Sequence, residues 1–228
     1  MRILAVDTAT ERCSAALMLE DHIEERCQTA VRAHAELVLP MVEALLSAAG
    51  VSLAQLDALA FGRGPGGFTG VRVAAAMIQG LAFGVDRPVV PVSDLMALAV
   101  GAYRLYGSNR VLSCLDARMG EVYCCTYRVS AGGAISASGE ELLVTPERIQ
   151  LPDAGPWFAA GPGLRVHGKT LMGRLHTELA GRDDTLLPAA RDVATLAGQA
   201  LARGQTVAAE AALPVYLSER VAWPKSPL

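Results

Sequence analysis

The chain has 228 residues, a net charge of −3, and 52% hydrophobic against 19% charged residues. That length allows one or two domains with a sizeable core, and the apolar balance excludes a disordered chain. An acidic balance with no block of Lys or Arg excludes an independent grip on a phosphate backbone, so a nucleic-acid role needs a partner to supply positive charge.

Arg2–Val6 reads as a first strand ending at Asp7-Thr8, Cys13–Leu19 as a second, and Ile23–Val31 as a third at the edge. Leu37, Val38, Met41, Val42, Leu45, Leu46 and Ala49 then fall at helical spacing. Pro40 has no N–H, so that helix begins close to it or bends there, and Gly50 stops it. Leu56–Phe61 is a short buried strand. The stretch GRGPGGFTGVRVAAAMIQGLAFG follows at residues 62–84, with a helix from about Thr69 to Phe83. Pro88–Val92 is a further strand, and Ser93 or Asp94 caps a helix over Leu95–Tyr106. Hairpins and parallel βα units are thus mixed, which points to an α/β fold.

Val111–Leu115 again runs into an aspartate, Asp116, and a polar turn leads to a strand over Val122–Val129. Setting Asp7 over Asp116 gives one outline twice, offset by 109 positions, which reads as an internal repeat. Residues 130–139 read as a flexible loop, and Thr145-Pro146-Glu147 as a helix start. Trp157–Ala160 reads as a strand entering the glycine turn at Gly161, and Asp192–Ala202 as a helix.

The five cysteines (Cys13, Cys27, Cys114, Cys124, Cys125) are odd in number and form no CxxC pair. Free thiols in a reducing cytosol follow, hence a cytoplasmic protein. The N-terminal apolar run is too short for a signal peptide, and no apolar run is long and unbroken enough to cross a bilayer.

The glycine stretch invites a phosphate-binding reading. Gly62, Gly64 and Gly67 have the GxGxxG spacing, but the helix starts later and no fitting acidic residue follows. A Walker A loop fails because Val71-Arg72 stands where Lys-Ser/Thr belongs. The alternative is close packing: between Val71 and Phe83 only Arg72 and Gln79 are polar, and they share one face. Asp7 serves a ligand or caps its own turn. Asp116, Arg118 and Glu121 form a charged turn open to a ligand or partner, or simply to solvent. His22, His34, His167 and His176 have no metal-binding spacing, His34 reads as a helix-start residue, and Cys124-Cys125 reads as buried and structural.

VDTAT, AHAELVLPMVEALL, the glycine stretch, PVVPVSDLMALA, DARMGEVY and PVYLSERVA occur in the order seen in the TsaB family, also called YeaZ. The sequence resembles that family over essentially its whole length, least distinctively at 130–210. The resemblance implies an actin-like ATPase (ASKHA, ribonuclease H-like) fold of two duplicated subdomains with mixed sheets flanked by helices. These are 1–106, carrying a partner interface, and 107–228, with the tail 214–228 returning to the N-terminal half.

It further implies a non-catalytic subunit that holds and supports TsaD. TsaD transfers threonylcarbamoyl to N6 of adenosine 37 in tRNAs reading codons that begin with A, in a system that includes the ATPase TsaE. TsaD-like proteins carry a metal-binding HxxxH where this chain reads Val92-Ser93-Asp94-Leu95-Met96-Ala97. No catalytic residue, no metal and no tightly bound cofactor are therefore implied, with ATP or ADP placed at a joint surface with TsaD. The implied partners are TsaD and TsaE, a second copy when isolated, tRNA only through the complex, and no membrane. The first two helices supply the implied interface through Leu37, Val38, Met41, Val42, Leu45, Leu46, Val71, Arg72, Ala75, Ala76 and Gln79. Rival readings are an independent actin-fold ATP-dependent phosphotransferase, an M22-type peptidase, or a homodimeric regulator outside tRNA modification.

Overall fold

The computed structural model describes residues 1–30, 33–130 and 132–217. In β1 (Arg2–Asp7) Leu4 and Val6 point to one face and Ile3 and Ala5 to the other, all fully buried. That is a period-two strand covered on both sides. β2 (Arg12–Leu19) and β3 (His22–Thr29) extend it antiparallel, and β4 (Ala58–Gly62) and β5 (Val89–Val92) add in parallel on the other edge. The order is β3-β2-β1-β4-β5. The edge strand β3 carries Glu24, Glu25 and Arg26, charges that discourage pairing with another chain.

α1 (His34–Ala49) and α2 (Phe68–Val85) cover the Leu4/Val6 face. α1 starts at His34 and carries Pro40 inside it, so it begins earlier than Pro40 alone suggests. Gly50, at φ 64°, ends it in the left-handed region. At the start of α3 (Asp94–Tyr106), Ser93 Oγ accepts from the Met96 N–H at 3.2 Å.

β6 (Arg110–Arg118), β7 (Glu121–Val129), β8 (Ile135–Ala137), β9 (Leu142–Val144), β10 (Trp157–Ala160) and β11 (Leu179–Asp183) build a second sheet, ordered β11-β10-β6-β7-β8 with β9 also on β7. Read from its other edge, this is the order of the first sheet, with β6 in the place of β1. α4 (Gly163–Val166) and α5 (Gly168–Leu175) cover its outer face through Leu164, Leu171 and Leu175.

Between the sheets lie α3 and α6 (Ala190–Ala202). α3 sends Ala97 and Val100 to the first sheet and Leu95, Leu98 and Ala102 to the second. α6 packs Ala190, Val193, Ala194 and Ala197 on the first sheet. The molecule is thus five layers: two helices, sheet, two helices, sheet, two helices.

Several expectations need correction. Ile135–Ala137 pairs with β7 inside the stretch read as a flexible loop, and Pro146–Arg148 is a single 3-10 turn. α2 has 18 residues and a mean hydropathy of 1.4, long and apolar enough to cross a bilayer by length and composition only, and its apolar run is broken at Arg72 and Gln79. Here one face of it is packed on the first sheet through Val71, Ala74, Ala75, Ile78 and Ala82. Of the tail, residues 214–217 lie against the glycine turn: the Val215 N–H donates to the Arg63 carbonyl at 2.8 Å. The end of the expected third strand at Val31, and residues 218–228 with the rest of PVYLSERVA, lie outside the described residues.

Candidate functional site

Two surfaces matter: a cleft between the halves, and the outer face of α1 and α2. The cleft has a volume of about 810 Å³. Thr8–Glu11, His34 and the turn Gly66–Gly70 form its first wall, and Leu115–Arg118, Tyr123, Pro162 and Arg165 the second. Arg165 reaches across to Glu11 at 3.7 Å.

The glycine turn is built for contact with its own chain. A Cβ on Gly70 would stand 1.9 Å from the Thr8 carbonyl oxygen, and one on Gly66 2.6 Å from that of Ala9. Thr8 Oγ1 donates to the Gly70 carbonyl at 2.7 Å, and the Gly67 N–H donates to the Ala9 carbonyl at 2.7 Å. The crowded sides of Gly66 and Gly70 are thus pressed against the end of β1, and one N–H that a phosphate cradle would use, that of Gly67, is spent on the Ala9 carbonyl. The close-packing reading of the glycines is the one the geometry supports. Gly70→Ala is expected to cost about 3 kcal/mol by overpacking, whereas Gly80→Ala, on the open side of α2 with nothing within 4 Å, should gain about 0.5–1 kcal/mol. Urea unfolding midpoints check both, and a neutral Gly70→Ala would leave the turn free for another role.

Asp7 was a candidate ligand contact, and that is corrected: it is fully buried, and its Oδ1 accepts the Ala9 N–H at 2.9 Å. Asp116, its counterpart in the repeat, does line the cleft. Its Oδ1 accepts the Arg118 N–H at 3.1 Å and lies 3.4 Å from His167 Nε2. Arg118 lines the cleft too, on a hairpin tip where Arg118, Met119 and Gly120 all take positive φ. Glu121 faces Arg118 across that hairpin and is not part of the cleft wall.

His34 opens α1 and its Nε2–H donates to the Thr10 carbonyl at 2.7 Å. His22 pairs with Glu24 on the edge strand. Among the described residues no three His, Cys, Asp or Glu side chains gather to hold an ion. Cys124 and Cys125 are buried, and burial pushes the Cys124 thiol up to about 12 and that of Cys13 to about 11, so neither supplies a thiolate at neutral pH. The sequence does not single out Arg165 or Glu11, and it offers His167 only as a metal ligand; their meeting at the cleft is set by the fold. In the second half the turn after β10 packs likewise on the central strand, Gly161 and Gly163 lying against Cys114 of β6.

The eleven residues expected at a partner surface divide in two. Val38, Val42, Leu45, Val71 and Ala75 are buried in the chain's own core, so no partner meets them. Leu37, Met41, Leu46, Arg72 and Gln79 are half-buried and Ala76 is exposed. Leu39 (38% exposed) and Phe83 (80%) join them on the outer side. Arg72 lies over the rings of Phe68 and Tyr216, so the tail borders this face.

Two sheets of one repeated order, each flanked by helices around a central cleft, define an actin-like ATPase-type fold. The family of TsaD, tRNA N6-adenosine threonylcarbamoyltransferase, matches residues 26–172. The tRNA threonylcarbamoyladenosine biosynthesis protein TsaB of Escherichia coli (strain K12) is 44% identical over all of this chain and 99% of its own length. That of Haemophilus influenzae (strain ATCC 51907 / DSM 11121 / KW20 / Rd) is 39% identical over 100% and 98%. The structure of YeaZ from Pseudomonas aeruginosa superposes with a TM-score of 0.89 at 48% identity, covering 95% of this chain and 99% of that one. The chain belongs to the TsaB family.

Proposed function

We propose that this chain acts in threonylcarbamoyladenosine formation on tRNA as a non-catalytic subunit, docking TsaD through the outer face of α1 and α2. One observation carries the reading: α2 is apolar enough by length and composition to span a membrane, yet only five of its 18 residues are fully buried in its own chain, and Ala76 and Phe83 stand exposed on its outer side. An uncovered apolar surface of this kind marks a binding face. A bilayer is the poorer occupant. Val71, Ala74, Ala75, Ile78 and Ala82 of α2 lie against the sheet, and entry into lipid would either strip them away or drag strand edges into hydrocarbon.

The names of the relatives support the pathway, and the family resemblance supports TsaD as the partner. The inward Asp7 speaks against an independent phosphotransferase, and against an M22-type peptidase stands the lack, among the described residues, of three His, Cys, Asp or Glu side chains gathered to hold an ion. In this reading ATP or ADP belongs to a joint surface with TsaD, TsaE joins the assembly, tRNA is met through the complex in the cytoplasm, and the isolated chain pairs with itself through the same face. Reconstitution tests it. TsaD, TsaE, threonylcarbamoyl-AMP and tRNA should modify adenosine 37 at least about tenfold faster with this chain than without. Equal rates, or modification by this chain alone, would overturn the proposal.

A further inference from the structure

Asp7, at the end of β1, and Asp94, at the start of α3, are both fully buried and face one another behind the glycine turn. One oxygen of each is accounted for. Asp7 Oδ1 takes the Ala9 N–H, and Asp94 Oδ2 takes the Gly64 N–H at 2.5 Å. The other two, Asp7 Oδ2 and Asp94 Oδ1, are buried with no donor among the described residues. They converge on the space left by Gly62, where a Cβ would lie 3.1 Å from the first and 2.3 Å from the second. Two orphaned acceptors aimed at one another in a fully buried site repel unless something positive stands between them.

We infer that Asp7 and Asp94 share a single proton, forming a carboxylic acid–carboxylate pair that latches the glycine turn to the end of β1. One negative charge is well supported there, by the Ala9 and Gly64 N–H groups and by the N-terminus of α3. A second is not. The facing cations are already engaged, Arg12 on β2 with Glu25 at 3.2 Å and Arg63 after β4 with Glu141 at 3.3 Å. Asp192 on α6 adds a further negative charge facing Asp7, and the buried thiol of Cys13 on β2 faces it as well. Burial raises both carboxyls above the ordinary value of 3.8, Asp94 the further, with Asp7 acting on it as the second cause.

The latch has reach. The Asp94 N–H donates to the Gly64 carbonyl at 3.1 Å, which closes a reciprocal pair with the turn, and Val215 of the tail docks on Arg63 next to it. The shared proton therefore fixes one wall of the cleft, the start of α2 and the base of the tail together.

The sign of the pH dependence follows. A carboxyl raised in the folded state holds its proton where the unfolded chain has lost it. Stability is therefore greatest below about 3.8 for this pair and falls as pH rises, levelling once the folded pair deprotonates. Over that range the folding equilibrium constant drops by up to about tenfold per pH unit for the one proton. In Asp94→Asn the amide donates to Asp7 without titrating, so this slope should disappear. Thermal unfolding of the full chain from acid to alkaline pH reads the difference, and parallel curves for parent and variant would overturn the inference. Infrared difference spectra of the parent supply the second measurement should the variant not fold. A protonated carboxyl C=O band at neutral pH supports the pair, and its absence refutes it. A stoichiometric metal found by elemental analysis, with unfolding temperature lowered by chelator, would equally refute it by placing a cation where the proton is assigned.

Discussion

Ala76→Arg and Phe83→Asp are expected to leave the fold intact and to remove TsaD from the chain's elution peak. Both side chains are exposed, so each change should move folding stability by no more than about 0.5 kcal/mol. In a helix–helix contact an inserted charge is desolvated without a partner, and association should weaken by about 100-fold or more, equivalent to roughly 2.7 kcal/mol. Arg at Leu45 or Ala75 would test nothing, because both sit in the core cluster and the chain would fail to fold first. Met119→Asp is the matched control: Met119 is 88% exposed on the hairpin tip of the other half and should leave association unchanged. Gel filtration of the mixed proteins checks all three. Co-elution of TsaD with Ala76→Arg and Phe83→Asp alike would remove the outer face of α1 and α2 as the docking surface.

The burial of Leu45 and Ala75 shows what the sequence carries and what it withholds. The spacing in Leu37–Ala49 identifies a helix, but both sides of that helix are apolar. The period alone does not say which apolar residues meet the chain's own sheet: Val38, Val42 and Leu45 do, while Leu39 looks outward. The strands of the first sheet are legible because β1, β2 and β4 are apolar runs between turns, interrupted within β2 only at Ser14. β11 is not, since its residues LAGRD are short, polar and held by pairing with β10. Nor is β9, three residues whose place is set by β7. The repeat is the strongest topological signal: Asp7 over Asp116 matches two strand–turn–strand outlines, and the structure adds that the two sheets share one strand order. At the site, residue type marks Asp7 as polar at a strand end, but only the fold reveals that its neighbour is a second carboxyl 87 positions on rather than a ligand.

The same fold explains why the two halves should not come apart independently. α6 belongs to the second half in sequence yet packs on the first sheet, and α3 belongs to the first yet packs on the second. They are joined at Asp192, whose two oxygens accept from Arg104 Nε at 2.9 Å and Nη2 at 3.0 Å, a bidentate pair. Asp192 is buried, while about a third of the Arg104 side chain reaches solvent. The two partners therefore differ in what their loss leaves behind. Arg104→Ala strands a buried carboxylate beside Gly101 and should cost about 3 kcal/mol. Asp192→Ala leaves a guanidinium that can turn to water and should cost about half that. Urea denaturation of both variants, and of the double variant, measures the asymmetry and the coupling. Equal losses, or an early separate transition for the second sheet in Arg104→Ala, would show that the crossed helices do not hold the halves as one cooperative unit.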